Sequence, residues 1–236
     1  MEIRKSTELI EGAKVNTLSI GDSGKGKTWF AGTIADYGKP FIIDSEKGLM
    51  TAATKVFDYV EVNTFKEFQE ACVWFMKNAE KEGYTHLVVD SVTRLQQYLA
   101  ESISKDMKLS QQQWGEILAT LRKTVNWLTK ECPTHVHVSA MAMESKDELT
   151  GGVKIFPNIM GAFKFDLAGY FDVVLYHDCG INKSNEQAYW VQTKGDSRIP
   201  ARSRLDAIKP LKKFERNDYG IIADILNIKE NKNETK

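Results

Sequence analysis

Val15-Asn16-Thr17-Leu18-Ser19-Ile20-Gly21-Asp22-Ser23-Gly24-Lys25-Gly26-Lys27-Thr28 is the stretch on which the fold turns. Val15 to Ile20 reads as a strand, and Gly21 to Thr28 fits G-x-x-x-x-G-K-[ST] at every fixed position. A helical stretch follows from about Lys27 to Tyr37, before Gly38 and Pro40 stop it. Strand, glycine-rich loop and helix in that order suit phosphate binding. The glycines let backbone N–H groups curl around phosphate oxygens, and the helix N-terminus adds partial positive charge. In this pattern Lys27 reaches the β- and γ-phosphates and the Thr28 hydroxyl ligates Mg²⁺. The competing reading is a Gly/Lys-rich surface turn, and the flanking strand and helix count against it.

Outward from this loop, strand-like and helix-like segments alternate. Phe41-Ile42-Ile43 is a short apolar strand ending at Asp44, and Tyr59 to Val62 is a weaker one. Phe65, Phe68, Cys72, Phe75 and Ala79 recur at helical spacing until Gly83. Thr85 to Asp90 is a buried-strand run, and a helix over Gln111 to Lys130 places Trp114, Leu118, Leu121, Val125 and Leu128 on one stripe. His135 to Met143, Phe171 to His177 and Ala188 to Thr193 complete the strands. Short apolar strands separated by helices predict an α/β fold, a mainly parallel sheet with helices on both faces. The last two strands lack a long helix between them and are expected to pair as a C-terminal β hairpin. One domain over residues 1–228 is expected, with 229–236 as a disordered polar tail.

Composition narrows the function classes. The chain has 236 residues, 42% hydrophobic and 27% charged, which is ordinary for a globule and excludes a disordered chain. Thirty-two basic residues balance thirty-two acidic ones, which counts against a protein coated in positive charge. Three widely spaced cysteines, Cys72, Cys132 and Cys179, suggest a reducing compartment. With no secretory signal and no run of about 18 apolar residues, a cytoplasmic protein away from membranes is expected.

Nucleotide chemistry needs acids beside the loop. Asp90 ends the strand His86-Leu87-Val88-Val89, so it should emerge at the loop's sheet edge and hold the Mg²⁺ shell; the alternative is a cap of the following helix. Ser91 occupies the next position, where many ATPases carry a water-orienting glutamate. Glu46, in Ile43-Asp44-Ser45-Glu46, could activate water if its strand neighbours that of Asp90, or could simply favour a helix N-terminus.

At this point the chain resembles the RecA-like P-loop ATPase core over roughly residues 13–205: the phosphate loop, Ile-Asp-Ser-Glu after the second strand, then Val-Val-Asp-Ser. It is most similar to small phage-encoded RecA-core proteins of recombination and single-strand annealing. Gln113-Trp114-Gly115, the strand His135-Val136-His137-Val138-Ser139, and the run Pro157 to Gly161 before Phe171-Asp172-Val173-Val174 carry this closer similarity. The resemblance implies that Glu46 is the catalytic glutamate. It further implies a homo-oligomer, ring or filament, with ATP near the protomer interface, a single-stranded DNA partner, a single-stranded-DNA-binding protein as a further partner, and a bacterial host's cytoplasm as location. Glu144 to Gly161, with Gly151-Gly152 and few core-forming residues, reads as a long loop; the resemblance implies that it contacts DNA, with Lys146, Lys154 and Phe156 offering phosphate contacts and a stacking face, and the alternative is an ordinary surface loop. A departure lies at the end of the strand after Asp90, where a phosphate-sensing amide is usual. Ala140 stands there, and Ser139 beside it is either a substitute sensor or a satisfied strand serine.

From Lys194 to Arg216, eight basic residues face three acids, the one marked imbalance in a neutral chain. A phosphate-backbone patch, residues acting in trans on a neighbour's ATP, and a plain solvated face compete; the resemblance favours the trans role for Lys194, Arg198, Arg202 or Arg204. The expectation is therefore a Mg²⁺-dependent, DNA-stimulated ATPase in phage recombination or annealing. Its rivals are a small-molecule or nucleotide kinase using the same loop, and a nucleotide-gated interaction protein with little hydrolysis.

Overall fold

The computed structural model describes residues 13–104, 106, 108–146 and 151–231. Strand β1 (Asn16–Gly21) leads through the phosphate loop into helix α1 (Lys27–Gly32), which tightens into a 3₁₀ turn at Thr33–Asp36. Strands β2 (Pro40–Asp44) and β3 (Asp58–Glu61) precede helix α2 (Phe65–Glu82). Strand β4 (His86–Asp90), helices α3 (Val92–Ile103) and α4 (Gln111–Glu131), strands β5 (His135–Lys146) and β6 (Val153–Pro157), and helix α5 (Phe163–Asp166) come next. Strands β7 (Val173–Ile181), β8 (Gln187–Gln192), β9 (Arg202–Ser203) and β10 (Phe214–Arg216) and helix α6 (Gly220–Leu226) finish the order.

The strands form one sheet in the order β10-β8-β7-β1-β5-β4-β2-β3, with β6 on β5 and β9 on β7. From β3 to β7 every neighbouring pair is parallel, while β7 with β8 and β8 with β10 are antiparallel. The expected hairpin of the last long strands is therefore present. Helix starts follow their caps. Thr64 accepts from Glu67 N, Ser91 accepts from Arg94 N, and Ser110 and Gln113 close a reciprocal capping box.

Strand alternation divides the sheet's side chains between two layers. One layer joins Leu18, Ile20, Phe41, Ile43, Leu87, Val89, Val136 and Val138 to the apolar stripes of α2, α3 and α4. The other joins Ile42, Val88, Val173 and Leu175 to Phe30 and Ile34 after the phosphate loop and to Ile221 and Ile222 of α6. Fully burying such a side chain contributes roughly 1.5–3 kcal/mol. The second layer also buries Ser19, His86, His137 and His177, and three aromatic contacts set Phe30 against His137, His177 and Tyr219.

Two segments depart from the sequence expectation. Glu144 to Gly161 is not an open loop: β5 runs on to Lys146 and β6 pairs back along it, burying Ile155 and Ile159. Val153, Ile155 and Pro157 alternate with the period of a strand, which the glycines before them obscure. Residues 147–150 lie outside the described residues. Helix α3, whose buried face includes Leu95, Tyr98 and Leu99, stands between Asp90 and α4. In the polar tail, the Asn231 side chain donates to Ala35 O at 3.1 Å, and 232–236 lie outside the described residues. Among the described residues no helix is long and apolar enough to cross a membrane.

Candidate functional site

The C-terminal ends of β1, β5, β4 and β2 are consecutive along one sheet edge, and the phosphate loop leaves β1 there. Gly26, immediately before α1, has φ +87°, and a side chain on it would run into the Asn217 amide. That amide is itself a brace. Asn217 Nδ2 donates to Gly26 O at 3.0 Å, which turns Oδ1 towards His177 Nδ1 at 3.0 Å. His177 Nε2 then accepts from Ser19 Oγ at 2.7 Å. A buried chain from β1 through β7 to the segment before α6 thus holds the loop's shape. Asn217 carries no signal in the sequence, since its partner lies 191 residues away.

Lys27 is buried, and its ammonium donates to Gly21 O at 2.8 Å and Asp22 O at 2.9 Å. Burial pulls its pKa down, against the opposing pull of Asp90, Glu46 and Asp22. The Thr28 hydroxyl donates to Asp90 Oδ2 at 2.8 Å, and the Ser139 hydroxyl donates to Asp90 Oδ1. Ser139 therefore faces the carboxylate, where it orients Asp90.

Strand β2 lies beside β4 with Asp44 opposite Asp90, the adjacency that the Glu46 reading required. The Asp44 carboxylate accepts from Glu46 N at 2.9 Å and Lys47 N at 2.7 Å, so a tight turn follows β2. That turn puts Lys47 in the left-handed region, at φ +58°. Ser45 N donates to Asp90 O at 2.7 Å, tying the turn to β4. The Asp90–Ser91 peptide is cis. Ser91 both caps α3 and donates its hydroxyl to the Glu46 carboxylate, so the serine that displaces the usual glutamate holds Glu46 instead. Burial pushes the Glu46 carboxyl up from the ordinary range, and Asp90 and Asp44 push the same way; Ser91 and Lys27 oppose. Asp44 is also raised, chiefly by burial.

The phosphate loop, Glu46, Met141, Tyr189 and Asn217 enclose a cavity of about 740 Å³, with Trp29 and Thr51 on its wall. That volume suits a nucleotide. A hydroxyl and a carboxylate are hard oxygen donors of the kind Mg²⁺ takes alongside substrate phosphates, so Thr28 and Asp90 fit the metal. Among the described residues no group of three or more His, Cys, Asp or Glu forms an all-protein metal cage. Lys25, also on the cavity wall, donates to Asp178 Oδ1 at 2.7 Å.

The basic run is largely paired. Lys194 meets Asp206 at 3.2 Å, Arg198 meets Glu144, and Lys213 meets Asp196 at 3.2 Å. Arg202 donates to Ala168 O at 2.7 Å and Phe171 O at 3.1 Å, and Arg204 binds Asp172 at 2.9 Å. Both arginines lie beside the start of β7, the end of the sheet opposite the phosphate loop. On the β6 arm Lys154 is exposed and Phe156 meets Phe165 edge to face at 4.9 Å. Phe165 and Lys164, which carry no role in the sequence reading, extend this surface.

A family model described as AAA domain matches residues 13–205, which take in β1 to β9 and every residue of the phosphate loop, Glu46, Asp90 and Ser139. No curated protein matches the chain.

Proposed function

Since the chain belongs to the AAA-domain family of P-loop ATPases, we propose that it is a Mg²⁺-dependent ATPase of RecA-core type that binds single-stranded DNA and serves phage recombination or annealing. The observation that carries the hydrolytic part is convergence: Lys27 and Thr28 after β1, Glu46 after β2 and Asp90 at the end of β4 surround one cavity or bond directly to its walls. Lys27 exchanges its bonds to Gly21 and Asp22 carbonyls for phosphate oxygens. Mg²⁺ held by Thr28 and Asp90 would neutralise charge on the β- and γ-phosphates. Glu46, its basicity raised by burial, accepts a proton from the attacking water while Ser91 fixes the carboxylate's orientation.

Support for the DNA part is the resemblance together with the β6 surface. Lys146, Lys154 and Lys164 have no carboxylate partner among the described residues. Phe165 is 59% exposed, and Lys164 sits 5.1 Å from its ring centre. Exposed aromatic faces flanked by cations suit stacked bases on a phosphate backbone. In an assembled ring or filament, Lys194 and Arg198 are the better-placed trans groups, because exposed ion pairs are worth little and exchange readily. Arg202 and Arg204 are anchored to backbone carbonyls and act first as braces.

ATP turnover with and without single-stranded DNA tests the proposal. Glu46→Gln should lower turnover by roughly 10²–10⁴-fold and leave ATP binding intact. Turnover that survives the substitution places the base elsewhere.

A further inference from the structure

A second cavity, of about 630 Å³, meets the nucleotide cavity at Glu46 and Met141. Its wall carries Lys47 and Arg94, the amides of Asn63, Gln97 and Asn158, and Glu46 as its one carboxylate among the described residues. Nothing in ATP binding uses Lys47, Arg94 or these amides.

Three observations point to an anion. First, Lys47 has no ion-pair or hydrogen-bond partner for its ammonium among the described residues, and its backbone is held left-handed by the Asp44 turn. A lysine tolerates that conformation poorly and a glycine readily, so the turn keeps a cation where backbone preference alone would not. Second, the Arg94 guanidinium lies over the Tyr98 ring, 4.6 Å from its centre, and is braced by Gln97 Oε1 at 2.6 Å, with Glu101 farther off at 3.6 Å. A guanidinium fixed in this way has lost its rotational freedom before any ligand arrives. Third, the cavity is bordered by the residue that follows β6, Asn158, which ties it to the proposed DNA-binding arm. Asn158 lies two residues beyond Phe156 and donates its N–H to Met141 O at 2.7 Å, and Met160 N–H donates to Gln96 of α3 at 2.9 Å.

We propose that this cavity takes one phosphodiester of a single DNA strand whose bases stack on Phe156 and Phe165, and that Lys47 passes the presence of DNA to Glu46. The inference rests on the DNA-binding reading above. Lys47 and Glu46 are adjacent, and both backbone N–H groups hang on the same Asp44 carboxylate, so a phosphate drawing on the Lys47 ammonium acts on the turn that carries Glu46. The phosphate's own negative charge beside Glu46 strengthens it as a base.

The test measures oligo-dT binding and ATP turnover for the wild type, Lys47→Gly, Lys47→Arg and Arg94→Gln. Glycine suits the left-handed position, so loss of fold is not the expected cause of any change. Each variant's stimulation is read as the ratio of its own turnover with and without oligo-dT. Lys47→Gly should bind oligo-dT with a log–log salt slope lower by about one, the mark of one lost phosphate contact, and its stimulation ratio should fall to about one. Arg94→Gln should behave similarly, and Lys47→Arg should retain stimulation. A Lys47→Gly variant stimulated like the wild type, with an unchanged salt slope, overturns the inference and leaves the DNA-binding ATPase standing. Stimulation of the wild type by inorganic phosphate alone, lost in Lys47→Gly, overturns the strand as the phosphate's source. A wild type that neither binds oligo-dT nor responds to it overturns the DNA-binding reading itself.

Discussion

His137 offers the sharpest quantitative check on the structure, because its effect depends on burial alone. It lies on β5 with its ring stacked on Phe30 at 5.5 Å, and among the described residues neither ring nitrogen has a hydrogen-bond partner. Burial lowers its pKa from the ordinary 6.5 to about 3. A folded-state pKa below the unfolded one means that, in the interval between them, the unfolded chain binds the proton and the folded chain does not. The associated stability is complete above pH 6.5 and is lost as pH falls towards about 3. Integrating to pH 5 gives a loss of about 2 kcal/mol from this one residue. His86 and His177, also held well below their ordinary value by burial, add losses of the same sign. Asp44 and Glu46, raised by burial, act in the opposite sense.

Comparison with His137→Leu isolates the residue. Leucine has a similar volume and leaves no unbonded polar atom. Urea unfolding, followed by the fluorescence of the five tryptophans, would be measured at about pH 8 and about pH 5. The variant should be at least as stable at the higher pH, because an unsatisfied buried polar group costs about 1–3 kcal/mol. Its advantage should then grow by about 2 kcal/mol at the lower pH. An advantage that does not change with pH would refute the reasoning, since it would mean that His137 is hydrated or protonated in the folded protein.

Asn217→Ala removes the brace on the Gly26 carbonyl and leaves His177 Nδ1 without its acceptor, so ATP affinity should fall roughly 5–30-fold, an effect of about 1–2 kcal/mol readable by titration with a fluorescent ATP analogue. Unchanged affinity would show that the loop keeps its shape unaided. Phe165→Ala removes an exposed stacking face and should weaken oligo-dT binding by about 1–3 kcal/mol while basal ATP turnover is retained, with fluorescence anisotropy as the assay. Equal affinity would move the stacking surface away from α5.

The parts of the site that were legible in the sequence are those whose chemistry is local. The loop Gly21 to Thr28 declares itself because its glycines, lysine and threonine must follow one another along a single bend. Asp90 declares itself because an acid ending an apolar strand can only emerge at the sheet edge. Glu46 was half legible: the sequence brings it to the end of β2, while its place beside Asp90 depends on β2 lying next to β4, an adjacency that the pairing of Asp44 with Asp90 supplies. The basic run from Lys194 was misleading when counted along the chain. Glu144 and Asp172, which neutralise Arg198 and Arg204, lie 54 and 32 residues before them. The β6 arm reads as a loop in sequence because Gly151 and Gly152 stand in front of its alternating apolar residues.

Spacing along the chain by itself determined the α/β class, the phosphate loop, the placing of Asp90 at the sheet edge and the closing hairpin, since each depends on backbone geometry and side-chain periodicity within a few residues. Only the tertiary structure decided that β5 separates β1 from β4, that Ser91 holds Glu46, that Asn217 braces the loop, and that Lys47 and Arg94 share a cavity with the Glu46 carboxylate. These depend on the order in which crossovers lay strands side by side and on which distant groups share a buried space. No local spacing encodes that, because the free energy belongs to the packed sheet as a whole.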